Sequence, residues 1–305
     1  MKGKPYKKGY LDVGDNYKIY YECCGNRKGL PILFLHGGPG AGFGEKHKQS
    51  ADLRKTNLIL FDQRGAGRSR PFASIKDNTT AKLVQDINKL LDFLEIKKVV
   101  LHGGSWGSTL ALVYAIRNPK KVSGLILGGI FLTTDEDNKF YNYTGKYFFP
   151  TVYERMISFV PKNRRKNPLK FYAEKMMTGD KKIRKKYAQE WSNYEHALME
   201  LIPSKQKHKL TKNDISLGVL ETYYLSKGCF IPEGYILKNA KKIKVPVSII
   251  HGQYDMICPP RNAWKLHNAI HGSKLQFVMA GHGFNNETRK AVVAELKRFT
   301  TLIKH

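Results

Sequence analysis

Short apolar runs rich in β-branched residues alternate with stretches of helical periodicity in the first half of the chain. The alternation then stops, and later resumes. Tyr17 to Cys23, Pro31 to Leu35, Asn57 to Phe61, Lys98 to Leu101 and Val122 to Leu127 read as strands. Thr80 to Leu94 places Leu83, Ile87, Leu90, Leu91 and Leu94 on one helical face, with Asn78 or Thr79 as cap. Ser108 to Arg117 reads as a helix stopped before Pro119. Strands this continuously apolar are buried on both faces, which implies an α/β protein with a parallel sheet covered by helices. From Thr133 the pattern changes: residues 135–240 are rich in Lys, Tyr and Met and hold helical stretches without convincing strands. Val245 to Ile250 is then a strand, Arg261 to Ile270 a helix, Leu275 to Met279 a strand and Thr288 to Leu302 an amphipathic helix. The expected organisation is a discontinuous core of residues 1–134 and 241–305. A helical lid, residues 135–240, is inserted after the sixth core strand, over the strand ends where open α/β sheets bind ligands.

Charge raises a competing expectation. The 305 residues include 53 Lys and Arg against 25 Asp and Glu, a net charge of +28. Such a balance invites nucleic acid or an acidic membrane surface as partner. The excess is spread out, however, with +8 in residues 135–240 and +20 in the rest. Runs such as Arg164-Arg165-Lys166, Lys185-Lys186, Lys241-Lys242 and Lys205 to Lys212 read as solvated faces, and no zinc-finger, RRM or basic-heptad pattern accompanies them. No apolar run approaches the roughly 20 residues of a membrane span, and no apolar segment follows the N-terminal lysines to make a secretory signal. Four cysteines, with Cys23 and Cys24 adjacent, are no disulfide scaffold, so a cytoplasmic location is expected.

Chemistry enters at Gly103-Gly104-Ser105-Trp106-Gly107. This is G-x-S-x-G between a strand and a helix, a turn that projects the serine hydroxyl and backs it with a helix N-terminus. A serine needs a base and the base an orienting acid, in the chain order Ser, Asp or Glu, His on such a sheet. Asp255, in HGQYD, and His282, in AGHG, both follow strands of the resumed pattern and so share an edge with Ser105. His36, His102 and His251 also close strands, but none follows the last strand with an acid one βα unit earlier. Asp62 precedes Ser105 and reads as a turn carboxylate paired with Arg64 or Arg68. His36-Gly37-Gly38-Pro39-Gly40 follows the first core strand; its glycines let the backbone approach a carbonyl, with the Gly38 and Trp106 N–H groups as oxyanion donors. No cysteine and histidine metal spacing appears, and the chemistry calls for no cofactor. Cys258, three residues from Asp255, is expected to pack near the site, where a bulky thiol reagent would inhibit.

Together HGGPG (His36 to Gly40), FDQRGAGRS (Phe61 to Ser69), DNTT (Asp77 to Thr80), GGSWGSTLAL (Gly103 to Leu112) and YDMICP (Tyr254 to Pro259) resemble the prolyl aminopeptidase, or proline iminopeptidase, family of α/β-hydrolases. The similarity spans almost the whole chain and is densest between residues 31 and 132. The resemblance implies the α/β-hydrolase fold with an inserted helical lid, and Ser105, Asp255 and His282 as the triad. It gives a role to Glu195, in Trp191-Ser192-Asn193-Tyr194-Glu195, and Glu221, in Glu221-Thr222-Tyr223-Tyr224: both would bind the substrate's free α-amino group. By the same route Phe131 and Tyr141 would line a slot for a pyrrolidine ring. The sequence departs from the family at Gly128, where an arginine is usual, and at Gly283-Phe284-Asn285-Asn286, where S-A-F-E is usual.

The expected function is a serine exopeptidase that releases N-terminal proline, or other small N-terminal residues, from peptides through an acyl-enzyme. The expected partners are peptides with a free N-terminal proline, with no specific nucleic acid, and a monomer is favoured. An esterase or amidase of other specificity is the alternative. A non-catalytic basic protein that binds nucleic acid or a membrane surface is a more distant one.

Overall fold

The computed structural model describes residues 3–202 and 208–303. Lys205 and Lys207 of the basic stretch lie outside them. The fold is built on an eight-stranded sheet of order β1-β2-β4-β3-β5-β6-β7-β8. The strands are β1 (Pro5–Gly14), β2 (Tyr17–Gly25), β3 (Leu30–Leu35), β4 (Thr56–Phe61), β5 (Val99–Gly104), β6 (Val122–Gly128), β7 (Val247–Gly252) and β8 (Lys274–Val278). From β4 to β8 the neighbours pair in parallel; β1 with β2 and β2 with β4 are antiparallel. The sheet is thus mostly parallel, as expected. β1 is the one core strand that the apolar pattern does not announce. It is an edge strand, half-exposed along its length, and lysines interrupt it.

Alternate residues of each strand point to opposite faces, and each face has its own core. Leu33, Leu35, Ile59, Phe61, Val99, Leu101, Leu125, Leu127, Val247 and Ile249 pack against α1 (Thr80–Phe93) and α2 (Trp106–Arg117). Ile32, Phe34, Leu58, Leu60, Val100, Ile126 and Ile250 pack on the other side, against Ala291, Val292, Leu296 and Phe299 of the C-terminal helix. The Thr79 side chain caps α1 by accepting from Lys82 N–H.

Among the described residues six α-helices stand between β6 and β7: α3 (Asp135–Phe148), α4 (Pro150–Ser158), α5 (Pro168–Thr178), α6 (Lys181–Met199), α7 (Lys212–Ser226) and α8 (Tyr235–Asn239). α9 (Pro260–Ala269) and α10 (Asn286–Leu302) complete the chain. Tyr141, Met156, Tyr172, Met176, Trp191, Tyr194 and Val219, drawn from α3 to α7, form a third apolar cluster, which Ile257 and Cys258 join from the loop after β7. Gly145 lets α3 close on α6, because a Cβ there would run into the Tyr194 hydroxyl. No helix among the described residues is long and apolar enough to cross a membrane.

Candidate active site

β5 continues through Gly104, so Ser105 follows the strand directly and α2 begins at Trp106. This turn is tighter than the sequence pattern suggests, and Ser105 takes φ 57° and ψ −131°, a region that L-residues rarely enter. Neighbouring glycines make room for it. A Cβ on Gly103 would lie 2.5 Å from Gly107 O, and one on Gly107 would collide with Leu35 O. Across the turn, a Cβ on Gly129 would meet His282 Cε1 at 3.0 Å and Ser105 N at 3.2 Å, so a bare backbone passes between serine and histidine. Nothing in the sequence pattern marks Gly129 for that place.

His282 Nδ1 is 2.8 Å from Asp255 Oδ2. The other carboxylate oxygen of Asp255 accepts from the Ile257 and Cys258 N–H groups at 2.9 and 2.7 Å. Burial would raise the Asp255 pKa, but His282, His251 and the Cys258 N–H outweigh it and hold the group below its ordinary range. Burial would lower the His282 pKa, but Asp255 and then Glu195 outweigh it and hold the imidazole above 6.5. No hydrogen bond joins Ser105 Oγ to His282 among the described residues; such contacts often tighten only when substrate arrives.

His251, set aside as a base on sequence grounds, lies behind the acid. Its Nδ1 accepts from Ile130 N–H at 3.0 Å, which leaves the proton on Nε2, 2.9 Å from Cys258 O and 3.5 Å from Asp255 Oδ2. Asp62 is the turn carboxylate expected. It accepts from Phe43 N–H, Arg68 N–H and Arg68 Nε, whereas Arg64 turns away to a fully buried pair with Asp86. Cys258 does sit beside Asp255, but it is buried and burial pushes its thiol well above 9. A bulky thiol reagent meets a closed, protonated site there, which removes the basis for the expected inhibition.

The Gly38 and Trp106 N–H groups donate no hydrogen bond among the described residues. Trp106 opens α2, where first-turn donors have no intrahelical partner. Gly38 has φ +103°, and a Cβ there would lie 2.7 Å from Gly40 N. Gln63 fastens the two segments. Its Nε2 donates to His36 O, its Oε1 accepts from the Trp106 indole N–H, and its own N–H donates to His36 Nε2, each near 2.9–3.0 Å. Sequence reasoning passed over Gln63, since only the folded chain brings it against partners 27 and 43 residues away.

α6 and α7 bring Glu195 and Glu221 together. Both are buried, at 8% and 6% exposure, and one carboxyl is close enough to hydrogen-bond the other. Burial raises both pKa values, and for Glu221 the charge of Glu195 adds to it. Glu221 Oε2 accepts from the Trp191 indole N–H at 2.7 Å. The Tyr141 hydroxyl lies near Glu195 and feels its charge, yet it is buried without a hydrogen bond of normal geometry. Phe131 is half-buried between the core and the helices. Glu195 and His282 interact electrostatically, and Gly283 N–H donates to Met199 O at 2.7 Å, tying the histidine turn to the end of α6. A Cβ on Gly283 would come within 3.2 Å of Met199 O, so this departure from the family lets that turn lie close. At Gly128 a Cβ would lie 2.8 Å from Ile250 O, so the backbone there leaves no room for the family's arginine.

A sheet of this order with a serine on a strained strand-to-helix turn, an acid after β7 and a histidine after β8 defines an α/β hydrolase. The sequence model of the alpha/beta hydrolase fold matches residues 31–287. A proline iminopeptidase of Xylella fastidiosa is 37% identical over 97% of both chains, and one of Arabidopsis thaliana is 37% identical over 92% of this chain and 76% of its own. The chain belongs to the proline iminopeptidase family of α/β hydrolases and is an enzyme, a hydrolase. An esterase from Exiguobacterium antarcticum superposes with a TM-score of 0.62 at 23% identity, over 97% of this chain and 100% of its own; that likeness concerns the fold alone.

Proposed function

We propose that the chain is a serine exopeptidase that releases N-terminal proline from peptides, with residues 135–240 as the lid that carries amine recognition. The observation that carries this reading is the buried pair Glu195 and Glu221, of which Glu195 interacts electrostatically with His282. Two carboxyls out of water, with no Lys or Arg bonded to either among the described residues, are costly unless a cation joins them. The free amino group of a peptide is such a cation at neutral pH. An internal peptide segment has none, so it gains nothing from the pair. Tyr141 supplies an aromatic wall and an unspent hydroxyl beside the amine, and Phe131 faces the same helices from the core side.

With the amine held, the first carbonyl carbon lies at Ser105. His282 takes the Ser105 proton as Oγ attacks, and Asp255 holds the imidazole and stabilises its charge. The Gly38 and Trp106 N–H groups receive the developing oxyanion. His282 passes its proton to the leaving peptide nitrogen, the C–N bond breaks, and the acyl group stays on Ser105. Water, deprotonated by His282, then releases the amino acid and restores the serine.

The test is release of free amino acid from a panel of dipeptides differing in the first residue, with Ser105→Ala as control. Proline-first dipeptides should be cleaved fastest, and the variant should lose activity by at least about 10³-fold. Equal release from N-acetylated substrates would leave an esterase or amidase of other specificity as the reading.

A further inference from the structure

A second cluster of reactive side chains lies on the outer end of the same two helices. His196 is in the last turn of α6, His208 follows the segment beyond that helix, and Asp214 is in the first turn of α7. Their ligand atoms all lie within 4.8 Å of one another. The two imidazoles are packed against each other at a tilt, with centroids 3.8 Å apart and planes 32° apart. Both turn Nε2 towards one carboxylate: His208 Nε2 is 2.9 Å from Asp214 Oδ2 and His196 Nε2 is 3.9 Å from Asp214 Oδ1.

The two oxygens of Asp214 have different work. Oδ2 closes the capping box of α7, accepting from Thr211 N–H at 2.6 Å and the Thr211 hydroxyl at 2.7 Å. Oδ1 accepts no hydrogen bond of normal geometry among the described residues, although the side chain is only 12% exposed. His208 Nε2 donates to Oδ2, so spare lone pairs remain on Oδ1, and a cation arriving between the carboxylate and the two imidazoles would displace the proton from His208 Nε2. We propose that His196, His208 and Asp214 bind a divalent transition cation of the zinc class, which cross-links the end of α6 to the start of α7.

The donor set fits. Two imidazoles and one carboxylate suit zinc-class ions, whereas magnesium and calcium prefer oxygen alone. Zinc bonds near 2.0–2.1 Å in a tetrahedron bring ligand atoms to roughly 3.3 Å of each other. Closing a spread of up to 4.8 Å to that distance needs movement of roughly 1.5 Å at most, and the histidines have the freedom for it, at 44% and 24% exposure. The rim position leaves a fourth ligand to water. The sequence hides the site, because its spacing matches no familiar metal motif.

The experiment is titration of the full chain, stripped with chelator, with zinc(II) by calorimetry, repeated with cobalt(II) by visible absorption. Wild type should bind one ion per chain, show the d–d bands of a four-coordinate site with cobalt, and gain thermal stability with zinc. His196→Ala and His208→Ala should each weaken binding at least tenfold and lose the bands. Both positions are partly exposed, so circular dichroism will show that the variants remain folded. Absence of stoichiometric binding by wild type, or undiminished binding in either variant, would overturn the assignment.

Discussion

The sharpest consequence of the glutamate pair concerns Glu195→Gln. The substitution keeps the size and hydrogen-bonding reach of the side chain and removes one negative charge from a site 8% exposed. At an effective dielectric of about 20, a carboxylate and an ammonium about 4 Å apart attract by roughly 4 kcal/mol. A charge-assisted hydrogen bond measured by mutation is worth about 1.5–3 kcal/mol. A loss of about 2–4 kcal/mol corresponds to a fall of about 30- to 1,000-fold in kcat/KM for a proline arylamide. An aryl ester without an amino group should change by less than about threefold, since it never used the charge. The same charge can be removed from the other partner by acetylating the substrate. On the acetylated proline arylamide, wild type and variant should react alike, because the two perturbations delete one interaction. Folding should not suffer: burial and the neighbouring carboxyl already disfavour the charged pair, so the urea midpoint should hold or rise. If the variant loses rate equally on amine and ester, the glutamate only shapes the pocket. If it loses rate on neither, the pair does not read the amine, and the exopeptidase reading fails with it.

Other outcomes follow from the same geometry. On the proposed mechanism the imidazole of His282 must be neutral to accept the serine proton, and Asp255 and Glu195 raise its pKa above 6.5 against burial; kcat/KM should therefore rise with pH through a midpoint above that value, and Asp255→Asn should move the limb to lower pH. Gln63→Ala strands the buried Trp106 indole N–H and frees the His36–Gly40 loop; it should cost about 1–3 kcal/mol in urea unfolding and lower kcat as the two N–H donors separate. Asp86→Ala leaves the Arg64 guanidinium without its main partner at 1% exposure, and should cost about 3–5 kcal/mol, read by the same unfolding experiment.

The parallel part of the sheet was legible because burial on both faces forces continuous apolar runs, as in Pro31 to Leu35 and Val122 to Leu127. β1 was not, since an edge strand with one solvated side and lysines at Lys7 and Lys8 makes no such run. Ser105, Asp255 and His282 could be picked out by position, each just past a strand end, and the structure brings the acid and the histidine to hydrogen-bond distance. Glu195 and Glu221 could be named only by resemblance. On their helices they look like ordinary surface charge, and their burial arises when α6 meets α7. Gln63, Gly129 and His251 act through partners distant in sequence, so no local pattern could announce them.

The backbone at Ser105 has a further meaning. A side chain held at φ 57° and ψ −131° is disfavoured by about 1–3 kcal/mol relative to relaxed backbone, and glycine escapes that penalty. On the proposed chemistry, the native sequence is then less stable than its own inactive Ser105→Gly form. On that chemistry the fold concedes stability at its nucleophile, and drift towards robustness there would silence the enzyme.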